Sequence, residues 1–120
     1  MKRVINIMKA LGEENRFRIV MMLRERPLCV CEMCSVLDIS ISTVSTHLKQ
    51  LTQIGILRSE KEGRWVIYSL ADIPSLRELI EQARGEVKDD EQLESDIARI
   101  RDVDPATCAA LLKNERKEKQ

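Results

Sequence analysis

A mostly helical α+β fold, arranged as a winged helix-turn-helix, is what this sequence predicts. Three observations carry that expectation. Apolar residues recur at helical spacing along most of the chain. A short helix and a tight turn precede an amphipathic helix at about 41–53. The segment "ILRSEKEGRWVIYSL" then holds two extended runs around a polar tip, with Gly63 supplying the turn of a β-hairpin. At 120 residues the chain can build one modest core. Three Pro and four Gly argue against an all-β fold rich in tight turns, and one Phe, one Tyr and one Trp leave the core to Leu, Ile, Val and Met.

The elements follow in order. Val4, Ile5, Met8 and Leu11 mark a helix over 3–11, ended by Gly12. "EENRFRIVMMLRE" predicts a second helix over 13–25, opened by acidic residues and stopped by Pro27, with Phe17, Val20, Met21 and Leu23 or Arg24 on one face. A short third helix spans about Val30 to Leu37. "DISIS" is a turn into the fourth helix, with Ser40 or Ser42 as the N-cap and Gly55 at its end. After the hairpin and Pro74, Leu76, Leu79, Ile80, Ala83 and Val87 form the stripe of a long helix. Leu93, Ile97 and Ile100 suggest a further helix, and "DPATCAALL" has Asp104 as a cap and Pro105 at the first helical position. "KNERKEKQ" reads as a frayed, solvated tail. The expected division is a winged-helix domain over 1–87 and a C-terminal helical extension with a disordered tail over 88–120.

Charge is unevenly spread although the formal net charge is zero. Residues 1–70 carry 11 Lys+Arg and 7 Asp+Glu, an excess of +4, and residues 71–120 carry 9 and 13, an excess of −4. A basic first part suits an anionic partner such as nucleic acid. In the fourth helix, Ile41, Val44, Leu48 and Leu51 share one narrow sector, and Ser42, Thr46, Lys49, Gln50 and Gln53 gather opposite. That outward face carries hydrogen-bonding groups and no carboxylate, as reading DNA in the major groove requires. Lys61 and Arg64 at the hairpin tip are placed to reach phosphates or a neighbouring minor groove. His47 lies at the edge of the apolar sector and reads as a half-buried histidine rather than a metal ligand. No segment approaches the ~20 apolar residues of a membrane span, and the start "MKRVINIMKALGEENR" reads as mature protein that stays in the cytoplasm.

"CVCEMC", residues 29–34, holds three of the four cysteines. In a reducing compartment clustered Cys point to metal or redox chemistry rather than structural disulfides. Soft thiolates select soft or borderline metals and metalloids. Three suffice for the pyramidal coordination of trivalent arsenic. Zinc usually takes four ligands, the fourth to come from Cys108, His47 or water, and Cys108 is far along the chain. On an ideal helix Cys31 and Cys34 share a face, whereas Cys29 and Cys31 differ by about 200°. Either Cys29 lies in an extended segment before the helix, or an ion unwinds the first turn. A Cys31–Cys34 disulfide switch is the redox alternative. Cys108 reads as a buried thiol in preference to an added ligand.

"LGEENRFRIVMMLRE", "LCVCEMCSVLDISISTVSTHLKQLTQIGIL" and "EGRWVIYSL" together resemble the ArsR/SmtB family of metal-responsive repressors. "STVSTHLKQL" is similar to its recognition helix and "CVCEMC" to the site of its arsenic-sensing subgroup. The resemblance implies a homodimer bound to double-stranded operator DNA with an inverted repeat. Ser42, Thr43, Ser45, Thr46, His47, Lys49 and Gln50 would face DNA, with Lys61 and Arg64 from the wing. Val4, Ile5, Met8, Leu76, Leu79, Ile80 and Ala83 would form the dimer interface. Cys29, Cys31 and Cys34 would bind As(III) or Sb(III) as inducer, with no catalytic cofactor. Oxidants, or zinc and cadmium, are the alternative effectors. The helix after the wing has no His for the family's other metal site, and no cysteine precedes Cys29 to supply the extra thiols of its cadmium/lead version. A small thiol enzyme fits poorly, since the chain has neither a glycine-rich phosphate loop nor a strand-rich α/β pattern.

Overall fold

The computed structural model of the chain describes residues 1–108; the tail "KNERKEKQ" lies outside them. Helix α1 spans Lys2–Leu11, α2 Glu14–Glu25, and a two-residue strand, β1, Leu28–Cys29. Helices α3 (Val30–Leu37) and α4 (Ile41–Ile54) follow, then strands β2 (Leu57–Glu62) and β3 (Trp65–Leu70). Helices α5 (Pro74–Glu86) and α6 (Glu91–Ile100) come next, and Pro105 opens a helical segment whose described part reaches Cys108. This is the winged helix-turn-helix arrangement.

Helix α2 is the centre of the core. Five successive residues, Ile19 to Leu23, are buried, so this helix is covered on every side and not along one stripe. Helices α1, α4, α5 and α6 and strand β3 all pack on it. Its N-terminus is capped by Glu13, whose carboxylate accepts from the Arg16 N–H at 2.8 Å. Arg24, an alternative to Leu23 for the apolar face, instead turns outward and makes a two-bond pair with Glu81 of α5 at 2.6 and 2.9 Å.

The turn between α3 and α4 is three residues long. Asp38 takes it in the left-handed conformation (φ 57°, ψ 42°), and its N–H donates to the Cys34 carbonyl at 2.9 Å. Short polar side chains tolerate that conformation better than most. Of the two candidate caps for α4, Ser40 holds the position: its Oγ accepts from the Thr43 N–H at 3.2 Å. Gly55 ends the helix at φ 90°, where a Cβ would be strained.

The sheet has the order β1-β3-β2, antiparallel throughout. The wing hairpin turns on Gly63 and Arg64 between the paired residues Glu62 and Trp65, with Gly63 at φ 58°. Strand β1 is an addition to the sequence-based picture. It pairs Leu28 with Tyr68 and Cys29 with Ile67.

Residues 88–108 are fastened to the same core. Leu93 and Ile100 join the main apolar cluster. Asp96, fully buried, accepts two bonds from Arg18 at 2.8 and 2.9 Å and one from Gln92 at 3.0 Å. Arg99 donates to the carbonyls of Val36 and Ser35 at 3.0 and 3.2 Å, covering the end of α3. Asp104 caps the segment that Pro105 opens, accepting from the Thr107 N–H at 2.8 Å.

Candidate nucleic-acid interface and thiol centre

Helix α4 presents two distinct faces. Val44, Leu48 and Leu51 are buried in the core, and Ser42, Thr43, Ser45, Thr46, Lys49, Gln50 and Gln53 are exposed. Some of these polar groups are already engaged. Thr46 donates back to the Ser42 carbonyl at 2.9 Å. Gln50 is exposed, and its Oε1 accepts from Arg16 at 3.1 Å. His47 does not join the open face. It is half-buried, with Nε2 3.8 Å from the Glu13 carboxylate and Nδ1 without a hydrogen-bond partner among the described residues. The hydroxyls of Ser42 and Thr43 bond Ser40 at 3.1 and 2.8 Å, and the Ser45 hydroxyl, Lys49 and a helix N-terminus without carboxylates are left facing outward. At the wing tip Lys61 and Arg64 are both exposed, and the Arg64 guanidinium lies 4.6 Å over the Trp65 ring.

Of the residues expected at a dimer interface, Val4, Ile5 and Met8 are exposed at 45, 42 and 57%, an apolar strip that the protomer's own core leaves uncovered. Leu76 and Ile80 need correction. They are 3 and 1% exposed inside this core and have almost no surface left for an interface. Leu79 and Ala83 are half-buried and pack against the edge of the same core.

The thiol centre forms where β1 runs into α3. Cys29 is extended (φ −91°, ψ 167°), the N-cap of α3, and so belongs to the extended alternative of the two considered. Its N–H donates to Glu32 Oε1 at 3.0 Å. With Cys29 outside the helix, the ~200° separation no longer applies: Cys29 Sγ and Cys31 Sγ stand 3.0 Å apart. Cys31 and Cys34 have a Cys-x-x-Cys spacing, yet the structure sorts them into different neighbourhoods. Cys34 packs in the main core, while Cys29, Cys31 and Cys108 form a separate buried cluster with Ile67 and Val103 around it. The fold thus closes the long chain distance that counts against Cys108. All four thiols are free and buried. Burial pushes all four up from the ordinary thiol range, Cys34 to about 11. Among the described residues no three His, Cys, Asp or Glu side chains stand as a ready-made metal-binding group. Cys29 and Cys31 fit a thiophilic ion, and a third donor has to move to join them.

Glu32 is buried yet not available as a ligand. Its second oxygen accepts from Arg26 Nη2 at 2.8 Å, and the same nitrogen reaches the carbonyls of Ile100 and Val103 at 2.8 and 3.1 Å. One guanidinium therefore ties the α2–α3 connection, the thiol-bearing first turn of α3 and the end of α6 together.

The family model described as "Bacterial regulatory protein, arsR family" matches residues 13–59. The solved structure of HlyU from Vibrio cholerae N16961 is similar at a TM-score of 0.67 and 30% identity, covering 71% of this chain and 91% of that one. The chain belongs to the arsR family. Two curated members differ in the element they are named for. The cadmium resistance transcriptional regulatory protein CadC of Listeria innocua serovar 6a is 38% identical over 74 residues, 61% of this chain and 62% of that protein. The arsenical resistance operon repressor of Escherichia coli K12 is 43% identical over 68 residues, 56% of this chain and 58% of that protein. The chain spans about three fifths of the length of these curated relatives. Family and fold are those of transcriptional regulators. Among the described residues no helix is long and apolar enough to cross a membrane.

Proposed function

We propose that this arsR-family chain is a homodimeric repressor of an arsenic-resistance operon. It binds an inverted-repeat operator in the cytoplasm and is released when As(III) or Sb(III) engages Cys29 and Cys31 with a third thiol. The observation that carries this reading is the 3.0 Å approach of the Cys29 and Cys31 sulfurs at the head of α3. That pair sits at the N-terminal end of the positioning helix, and the three-residue turn at the other end of that helix leads into the helix meant for the groove. Trivalent arsenic or antimony supplies a soft, three-coordinate centre that thiols bind in preference to oxygen ligands.

The chain's own residues supply the coupling. Helix α3 leads through the left-handed Asp38 into α4, so a displacement of its first turn is passed to Ser42–Lys49. Drawing in a third sulfur strains the Cys29–Glu32–Arg26 bonds that fix that turn. Allosteric couplings are typically about 1–3 kcal/mol, or roughly 5- to 150-fold in affinity. By reciprocity, operator DNA weakens arsenite binding by the same factor. Equal arsenite affinity with and without operator would refute the coupling.

A second reading has one observation in its favour. Cys108 lies beside Cys29 and Cys31, so the fold adds a thiol from outside α3 toward the four-ligand set that cadmium or zinc takes. The deciding experiment binds the reduced protein to its own promoter DNA and titrates arsenite, cadmium and peroxide in parallel. Release near stoichiometric arsenite is the expected result. Release by cadmium alone favours the four-ligand site, and release by peroxide alone a redox switch. Separately, Lys49→Ala is expected to weaken binding to all DNA sequences alike and to lower the salt slope by about 1. Binding titrations at several salt concentrations, on operator and on random duplex, check this.

A further inference from the structure

We infer that Cys108, and not Cys34, is the third sulfur of the ion site, so that the C-terminal turn closes onto α3 when the inducer binds. This deepens the proposed function and rests on its reading of Cys29 and Cys31 as ligands. The three thiols Cys29, Cys31 and Cys108 share one buried cluster, which Cys34 does not join. Cys31 Sγ already contacts the Pro105 carbonyl at 3.7 Å, which places it against the turn that carries Cys108.

The relative cost of moving each candidate points the same way. Cys34 is packed in the main core, and its carbonyl accepts from the Asp38 N–H that ends α3. Moving it disturbs a close-packed interior. Cys108 lies outside that interior, in the segment capped by Asp104, whose carbonyl accepts from the Cys108 N–H at 3.1 Å. The approach of Cys108 is also kept in register: Arg26 holds the carbonyls of Ile100 and Val103 and the carboxylate of Glu32 at once, so residues 100–103 and the Cys29–Glu32 turn share one anchor. Three S–H groups condensing with arsenous acid release three waters and leave three As–S bonds, with no oxidant or reductant consumed.

The test uses the full reduced chain and arsenite itself. Alkylation rates of each cysteine are read by peptide mass spectrometry with and without arsenite, and the As–S coordination number by X-ray absorption. The expected result is protection of Cys29, Cys31 and Cys108. Three As–S bonds should remain in Cys34→Ser and two in Cys108→Ser. Even outer-shell partners change ion affinity by about 10- to 100-fold, so loss of a direct ligand in Cys108→Ser should weaken arsenite at least tenfold. Protection of Cys29, Cys31 and Cys34, with Cys108 as reactive as before, would overturn the assignment while leaving the arsenic reading in place. No protection of any cysteine would overturn both. Circular dichroism of each variant separates lost ligation from lost folding: a Cys108→Ser chain that is folded and binds arsenite normally contradicts the inference.

Discussion

Replacing Arg18 with methionine is expected to cost about 3–5 kcal/mol of stability, the penalty for breaking a buried ion pair by removing one partner. Asp96 is fully buried between α6 and α2, and Arg18, itself 13% exposed, supplies two of its three bonds. Without Arg18 the carboxylate keeps only Gln92. A domain of this size has a total stability of about 5–15 kcal/mol, so the single change approaches the unfolding limit. At about 4 °C per kcal/mol the fall in Tm is roughly 12–20 °C, read by thermal circular dichroism. The double change Arg18→Met with Asp96→Leu should recover most of the loss, because no charge is then stranded. A single mutant as stable as the original chain would show that Asp96 is solvated and that α6 is held by apolar contacts alone.

Cys31→Ser is expected to abolish inducer release: the roughly 5- to 150-fold drop in operator affinity caused by arsenite should vanish, with affinity in its absence unchanged. Cys31 is in contact with Cys29 and the Pro105 carbonyl and shares the buried cluster of Cys108, so its loss removes the thiol that links the two sides of the site. Fluorescence anisotropy on labelled promoter DNA reads both quantities. The protonation state of the site adds a second arm. Burial holds these thiols above their usual range, so they are protonated at neutral pH. A divalent cation must expel those protons into solvent, and its affinity therefore rises with pH. Arsenous acid takes each proton away as water, and its affinity stays level. Between about pH 6 and 8, below the ordinary thiol range, cadmium binding should strengthen and arsenite binding should not. A retained arsenite response in Cys31→Ser would place the ion elsewhere.

Local patterns were legible in the sequence, and long-range ones were not. The faces of α4, the Gly63 hairpin and the Asp104–Pro105 cap follow from spacing and turn chemistry within a few residues. Strand β1 is two residues long, too short for any alternation to show. Asp96 sits on an acidic helix, where a carboxylate looks solvated until Arg18, 78 positions earlier, is brought against it. Gln50 and His47 lie where the helical wheel puts them, but their engagement is set by Arg16 of α2 and by Glu13, which caps it. Leu76 and Ile80 have the same spacing whether they face the protomer's own core or a partner. The ideal-helix separation of Cys29 and Cys31 left two alternatives, and the structure takes the extended one: Cys29 belongs to the sheet edge and not to α3.

The Arg26 guanidinium has a consequence for where this chain can be cut. A fragment ending at residue 87 keeps every element of the winged fold but takes away the carbonyls of Ile100 and Val103, the carboxylate that answers Arg18, and the Arg99 cover on the end of α3. Two cations and the last carbonyls of the positioning helix would be left facing solvent, and the apolar seat of Leu93 and Ile100 would be bare. The boundary expected at residue 87 is thus crossed by ion-pair, hydrogen-bond and apolar contacts, and a fragment ending there is expected to melt below the full chain.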